Sequence, residues 1–341
     1  MKKLWMSLLL FVLFSASVSC ASSPFPVSDH FDGKTFRNTP PTRTKSFFEV
    51  AKWQWTREKV EWPDKRPVVI RDQLDPVLDP KAVAITFVNH STFVIQTKEV
   101  NFLTDPIWSD RSSPFQWAGP KRAHDPGVRF ESLPQIHYVL VSHNHYDHMD
   151  ESTLRRLHER FKPQFLVPLG DQKNLRSFGV PHGHEMDWWD EFKISDDVKV
   201  IFTRCQHWSA RGLFDRNESL WGSYLLLYKG KKIFFAGDTG YADHFSEIER
   251  RYGAMDLALL PIGAYEPRNF MREHHMNPAE AVQAHRDLKS KQSLGMHFGT
   301  FQLSDEQYNQ PPQDLEKAAQ EAGLPQGSFR TLNVGETFLL R

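Results

Sequence analysis

The stretch Tyr138-Val139-Leu140-Val141, running straight into Ser142-His143-Asn144-His145-Tyr146-Asp147-His148, decides how this chain is read. The first four residues are an apolar, strand-like run, and the cluster after them packs three histidines and an aspartate into six positions, 143–148. Burying imidazoles and a carboxylate at a strand end is unfavourable unless a cation holds them, because they lose hydration. Zinc-class ions accept neutral imidazole nitrogen and carboxylate oxygen as ligands. The spacing also divides the donors: His143 and His145 face one ion, while Asp147 and His148 turn to a second. A polar loop with satisfied histidines explains a single His, but poorly explains HxHxDH directly after a strand.

Two ions need about three protein ligands each and a bridging group. Three later segments repeat the pattern of strand followed by ligand. Val198–Thr203 runs into Cys205-Gln206-His207-Trp208. Lys232-Ile233-Phe234-Phe235-Ala236 runs into Gly237-Asp238-Thr239-Gly240, and Ser293-Leu294-Gly295-Met296 into His297-Phe298-Gly299. Ligands at the carboxyl ends of separate strands converge on one sheet edge. Taken singly, His207 and His297 read equally as core histidines, and Asp238 as an ordinary turn aspartate. The flanking glycines of Asp238 would let the backbone crowd against an ion.

With these residues in hand, the chain resembles the metallo-β-lactamase superfamily, and within it the branch of N-acyl-phosphatidylethanolamine-hydrolysing phospholipase D and its bacterial relatives. The shared stretches are 103–106, 142–150, 206–208, 220–223, 236–241, 260–265 and 296–300, and the likeness runs over residues 28–340. The resemblance implies that His143, His145 and His207 hold the first metal, that Asp147, His148 and His297 hold the second, and that Asp238 bridges them. Class B β-lactamases are similar to one another in lacking that bridging carboxylate, so antibiotic hydrolysis is not expected. It further implies an α/β fold, the αββα sandwich of two mixed sheets packed face to face with helices outside. The implied activity is dinuclear-metal phosphodiester hydrolysis, of phospholipase D type on N-acyl-phosphatidylethanolamine or a related phospholipid, with a metal-bridging hydroxide as nucleophile. Asp147, Asp238 and His275 would be its catalytic residues. Two zinc ions are the expected cofactor, and iron or manganese suits the same donors. Two other readings stand beside it: a lactonase of this fold acting on a sugar-phosphate lactone, and a non-catalytic, metal-stabilised envelope binding protein.

Tyr146, inside the ligand loop, reads either as a substrate hydrogen-bond donor or as packing. His275 precedes a helix start in which Asn277 is the cap, Pro278 the first helical residue and Glu280 the capping-box partner. A helix amino terminus attracts anions, so His275 is expected as a substrate-phosphate contact or leaving-group acid. His90 and Asp105 read as partners that orient ligating groups. His182 and His184 read as surface residues. Glu151 to Phe161 reads as a helix capped by Asp150, burying Leu154, Leu157 and Phe161.

Lys2 and Lys3 precede the apolar run Leu4 to Phe14, which is too short to span a bilayer and is expected to be a signal peptide over 1–19. Ser17-Val18-Ser19-Cys20 resembles a bacterial lipoprotein cleavage site, with Cys20 the lipidated residue; conventional cleavage near Ala21 is the alternative. The expected location is the bacterial cell envelope, exported and anchored to a membrane facing the periplasm. Residues 20–45 read as a tether and lead-in wrapped on the body, and 46–341 as the hydrolase domain. With Cys20 modified, only Cys205 remains, so no internal disulfide can form. Basic and acidic residues balance at 42 each, and nothing in that balance points to a nucleic-acid surface. The expected partners are therefore a phospholipid or other phosphodiester substrate and a membrane. Phe47, Phe48, Trp53, Trp55 and Trp62 read as aromatics covering a sheet edge, with a membrane-surface role as the alternative.

Overall fold

Strand-forming runs alternate with helical ones along most of the chain, and the computed structural model, which describes residues 25–43, 45, 47–57 and 60–341, shows where they go. The signal segment and Cys20 lie outside the described residues. The first half lays down β1 (Val83–Asn89), β2 (Thr92–Gln96), β3 (Asn101–Thr104), β4 (Tyr138–Leu140), β5 (Gln164–Pro168) and β6 (His184–Met186). The second lays down β7 (Glu191–Lys193), β8 (Val198–Thr203), β9 (Ser223–Tyr228), β10 (Lys231–Phe235), β11 (Leu257–Pro261), β12 (Gln292–Met296) and β13 (Phe329–Thr331). The last strand, β14 (Thr337–Leu340), returns to pair with β1. Two seven-stranded sheets result, ordered β14-β1-β2-β3-β4-β5-β6 and β7-β8-β9-β10-β11-β12-β13. Read in that order, each sheet makes antiparallel pairs first and parallel pairs after: the change comes at β3–β4 in one and at β10–β11 in the other.

The helices are α1 (Phe47–Thr56), α2 (Glu151–Phe161), α3 (Gln172–Ser177), α4 (His244–Tyr252), α5 (Arg268–Met271), α6 (Pro278–Asp287) and α7 (Gln310–Glu321). Strands β1 to β5 of the first sheet are buried on both faces, and their period of two divides them between two cores. Ile85, Phe93, Phe102, Leu140 and Leu166 face the second sheet, where Phe202, Tyr224 and Leu226 meet them. Val94, Leu103, Val139 and Phe165 point the other way, onto Leu154 and Leu157 of α2. The two facing sheets with helices outside form the αββα sandwich that the resemblance implied.

Helix α2 spans the expected residues, with Leu154 and Leu157 fully buried. Asp150 sits at its cap position but makes no side-chain cap bond; its carboxylate accepts instead from Ser109 N, Ser109 Oγ and Thr153 Oγ1. The capping box of α6 forms as read, with Asn277 and Glu280 bonding reciprocally. From Phe31 onward the lead-in belongs to the body: Phe31 and Phe36 are buried in the inter-sheet core. The aromatic segment 47–62 divides in two. Trp53 stacks on Phe270 and Trp62 packs edge-on to Tyr308, whereas Phe48 and Trp55 are 81% and 91% exposed.

Candidate metal centre

Each expected ligand leaves the end of a strand or the loop beyond it, and the two sheets bring them to one rim. His143, His145, Asp147 and His148 follow β4, and His207 follows β8. Asp238 follows β10, and His297 follows β12. Three backbone positions here are left-handed without being glycine: His90 (φ 48°), Asp105 (φ 32°) and His297 (φ 62°). Such conformations cost on the order of 1–3 kcal/mol and persist only where surrounding contacts impose them. Gly237, at φ 59°, is left-handed too, and a Cβ there would lie 2.6 Å from Ser142 Cβ. A Cβ on Gly240 would meet the Glu273 carbonyl oxygen at 2.4 Å. Both glycines therefore serve close approach of protein to protein, which corrects the reading that they make room for an ion.

The donors form two groups. His143 Nε2 lies 2.9 Å from His145 Nδ1, and His207 Nε2 lies 3.3 Å from the same atom. In the second group Asp147 Oδ2 lies 3.2 Å from His148 Nε2 and 3.3 Å from His297 Nε2. Asp238 Oδ2 reaches both groups, at 3.2 and 3.0 Å from His148 and His297 and at 4.0 and 3.8 Å from His143 and His207. All seven expected ligands are thus brought together, with Asp238 between the groups.

In His143, His148 and His207 the ring nitrogen turned away from the centre is hydrogen-bonded, which fixes the tautomer, whereas His145 Nε2 and His297 Nδ1 are buried without a partner. His148 Nδ1 donates to Asp105 Oδ2 at 2.6 Å, and His207 Nδ1 donates to the His274 carbonyl at 2.9 Å. Ser142 Oγ donates to Asp105 Oδ2 at 2.6 Å and can accept from His143 Nδ1 at 2.9 Å. Asp105 therefore orients one ligand of each group, in one case through a serine. His90 Nε2 donates to Asp147 Oδ2 at 2.9 Å, so His90 and Asp105 are both partners of ligating groups, as read. Asn38, which the sequence reading did not single out, brackets the backbone of His207 from both sides.

The electrostatics ask for positive charge. Burial alone would push Asp147 and Asp238 up, yet attraction from the neighbouring histidines holds both well below the usual carboxylate range. Burial lowers His297, but the two carboxylates overcome it and raise the group to about 9. His143 and His207 are held well below 6.5, first by burial and then by neighbouring imidazoles, and so stay neutral as ligands must be. Asp238 Oδ1 and His148 Nε2 are buried without a hydrogen-bond partner. Orphaned buried donors of this type, in two groups sharing a carboxylate, fit a pair of divalent cations.

His275 Nδ1 lies 3.8 Å from Asp238 Oδ2, and burial lowers its pKa to about 4. A neutral imidazole suits a hydrogen-bond donor to substrate better than a proton-loaded acid. Its placement owes nothing to an open helix terminus, because the α6 terminus is closed by its own capping box and by Arg268, 2.7 Å from Glu280. Tyr146 takes the packing reading of its two. Its hydroxyl donates to the Arg211 carbonyl at 2.6 Å beneath the stacked Arg211 guanidinium, which braces a loop and leaves no donor aimed at substrate. His182 and His184 are exposed, and Cys205 is buried with its thiol pushed well up by burial.

A cavity of about 250 Å³ opens on the ligands, lined by His145, Asp147, Asp238 and His275 at its floor and by Trp53, Trp208, Phe270 and Leu303 on its walls. Lys45, Val50, Arg216, Ala264, Met271 and His274 complete it. Trp53, from helix α1, and Arg216 carried no sequence signal for this site.

Residues 100–298 match the family described as "Beta-lactamase superfamily domain". The chain is 37% identical over 264 residues to N-acyl-phosphatidylethanolamine-hydrolyzing phospholipase D 1 of Caenorhabditis elegans, covering 74% of each chain. An uncharacterised protein of Mycobacterium tuberculosis is 39% identical over 247 residues, 71% of this chain and 65% of that one. Among solved structures, Igni18, a metallo hydrolase from the archaeon Ignicoccus hospitalis, has the same fold. Its TM-score is 0.58 at 22% identity, over 76% of this chain and 99% of that one.

Proposed function

Because this chain belongs to the metallo-β-lactamase superfamily, beside relatives that hydrolyse N-acyl-phosphatidylethanolamine, we propose that it is a two-zinc phosphodiesterase of phospholipase D type. The observation that carries this reading is the Asp238 carboxylate, buried between two donor groups and within 4.0 Å of a histidine nitrogen in each. Two divalent cations bound there would polarise phosphoryl oxygen and lower the pKa of a shared water.

The residues supply the rest. Asp147, held by His90, and Asp238 present fixed negative charge to the ions. His275, neutral beside Asp238, offers an N–H to a substrate oxygen. The aromatic walls exclude water and take the hydrocarbon next to the head group. In the reaction a water oxygen bonds to phosphorus as the bond from phosphorus to the ethanolamine oxygen breaks. One water proton passes to the departing oxygen. The products are phosphatidic acid and an N-acylethanolamine. Anchorage through a lipid on Cys20 belongs to the same proposal, because a tethered enzyme meets bilayer substrate at high effective concentration.

The test is mass analysis of lipids after incubating the zinc-loaded protein with N-acyl-phosphatidylethanolamine. Both products are expected, and both vanish with a chelator or with Asp238→Asn. An intact substrate after exposure to fully metallated protein would sink the phospholipase assignment.

A further inference from the structure

Among the described residues, Arg216 is a cation without a counter-ion at the cavity of the metal centre. Its guanidinium lies over the Trp208 ring at 4.1 Å, and that ring packs 4.2 Å from the His145 imidazole. A single indole therefore separates the guanidinium from an expected zinc ligand. Among the described residues no carboxylate pairs with Arg216, and its Nε is buried without a hydrogen-bond partner. The adjacent Asp215 is engaged elsewhere, accepting from the backbone of Arg211 and Gly212. Burial alone lowers the guanidinium's pKa, with no acid countering it.

Two polar neighbours lie beside it. Lys45 lines the same cavity, with its Nζ 3.4 Å from the Asn269 carbonyl and 5.6 Å from the centre of the Phe270 ring. His274 is buried, with neither ring nitrogen partnered. A half-buried arginine normally finds an acid or several carbonyls, because unpaired burial of its N–H groups is costly. Arg216 lines a compact cavity that also holds Asp147, Asp238 and His275. Stacking on Trp208 fixes the plane of the guanidinium and lowers the entropy cost of forming further bonds.

We propose that Arg216, laid on Trp208, is the residue by which this cavity selects substrates that are negatively charged at the reacting phosphate. It takes a non-bridging oxygen of an anionic phosphodiester, while the aromatic walls take the adjoining carbon chains. A neutral ester or lactone leaves the guanidinium unsatisfied and binds less well. This inference rests on the phosphodiesterase reading and names the residue that makes the site prefer such esters.

The test uses two probes that differ by one charge, diethyl phosphate and triethyl phosphate. Their affinities for the zinc-loaded protein are measured by calorimetry in wild type, Arg216→Gln and Arg216→Lys. In Arg216→Gln the affinity ratio of diethyl to triethyl phosphate is expected to fall about tenfold, the scale of one charge-assisted bond. Arg216→Lys, which keeps the charge, is expected to restore most of that ratio. An unchanged ratio in a folded, metal-loaded Arg216→Gln protein overturns the proposal. So does an equal loss for both probes, which marks a packing role. Because binding is read without turnover, a wild type that binds diethyl phosphate through Arg216 yet leaves phospholipid intact retires the lipid substrate and keeps the anion selectivity.

Discussion

At the scale of single residues, the centre depends as much on the groups behind the ligands as on the ligands. Asp105 accepts from His148 Nδ1 and from Ser142, whose hydroxyl in turn meets His143. Asp105→Ala frees one imidazole in each group to rotate and change tautomer. Metal affinity is expected to fall by about 10–100-fold, as measured by competition with a chromophoric chelator. Asp238→Asn acts directly, since an amide carries half the acceptor capacity and no charge. Bound metal is expected to drop below two ions per chain, with kcat reduced by about 100-fold or more. Elemental analysis alongside a phosphodiesterase assay checks both. A variant that kept two ions and full turnover would remove Asp238 from its bridging role. The same scale shows what composition conceals: Tyr146 and His275 sit in similar polar surroundings in the sequence, yet one spends its donor on a carbonyl and the other faces the ligands.

At the scale of elements, helices hold the rim in place and α1 also shapes the cavity. Leu154 and Leu157 of α2 are fully buried against the outer face of the sheet that carries the HxHxDH loop. Leu154→Ala is expected to cost about 2–5 kcal/mol of unfolding free energy, read from urea denaturation of the metal-loaded protein. Asn277→Ala, which opens the α6 capping box, is expected to cost only about 1 kcal/mol. Helix α1 differs from both. Trp53 lines the cavity, stacks on Phe270 and donates to Asp305 at 2.8 Å, while Trp55 two residues on is 91% exposed. Removing the Trp53 side chain is therefore expected to raise KM several-fold for a lipid-like diester while kcat changes little, because the ring bounds the cavity wall and touches no ligand. Steady-state kinetics on a short-chain diester separate these two effects.

At the scale of the molecule, two halves with the same order of antiparallel and parallel pairing meet face to face. No sequence repeat announces this. The ligands stand where the halves join, so binding energy for the ions adds to the energy of folding. Each ion present at about 1,000 times its Kd stabilises the native state by about 4 kcal/mol. Chelation is expected to lower the melting temperature and zinc readdition to restore it, as scanning calorimetry would show. On the proposed anchoring through Cys20, the chain carrying residues 1–20 is expected to partition with membranes and Cys20→Ala to release it, as fractionation would test. The donor set was legible in the sequence because four donors follow one apolar strand and each of the other three follows another within a few residues, and local patterning carries that information. Helices α2 and α6 were legible for the same reason. Only tertiary structure decided that Arg216 and Trp53 would share a cavity with Asp238, that Asn38 would bracket His207, and that Tyr146 would turn away. Those outcomes depend on side-chain direction and on contacts between segments far apart in the chain. No local period encodes them, and they exist only once the two sheets have closed on each other.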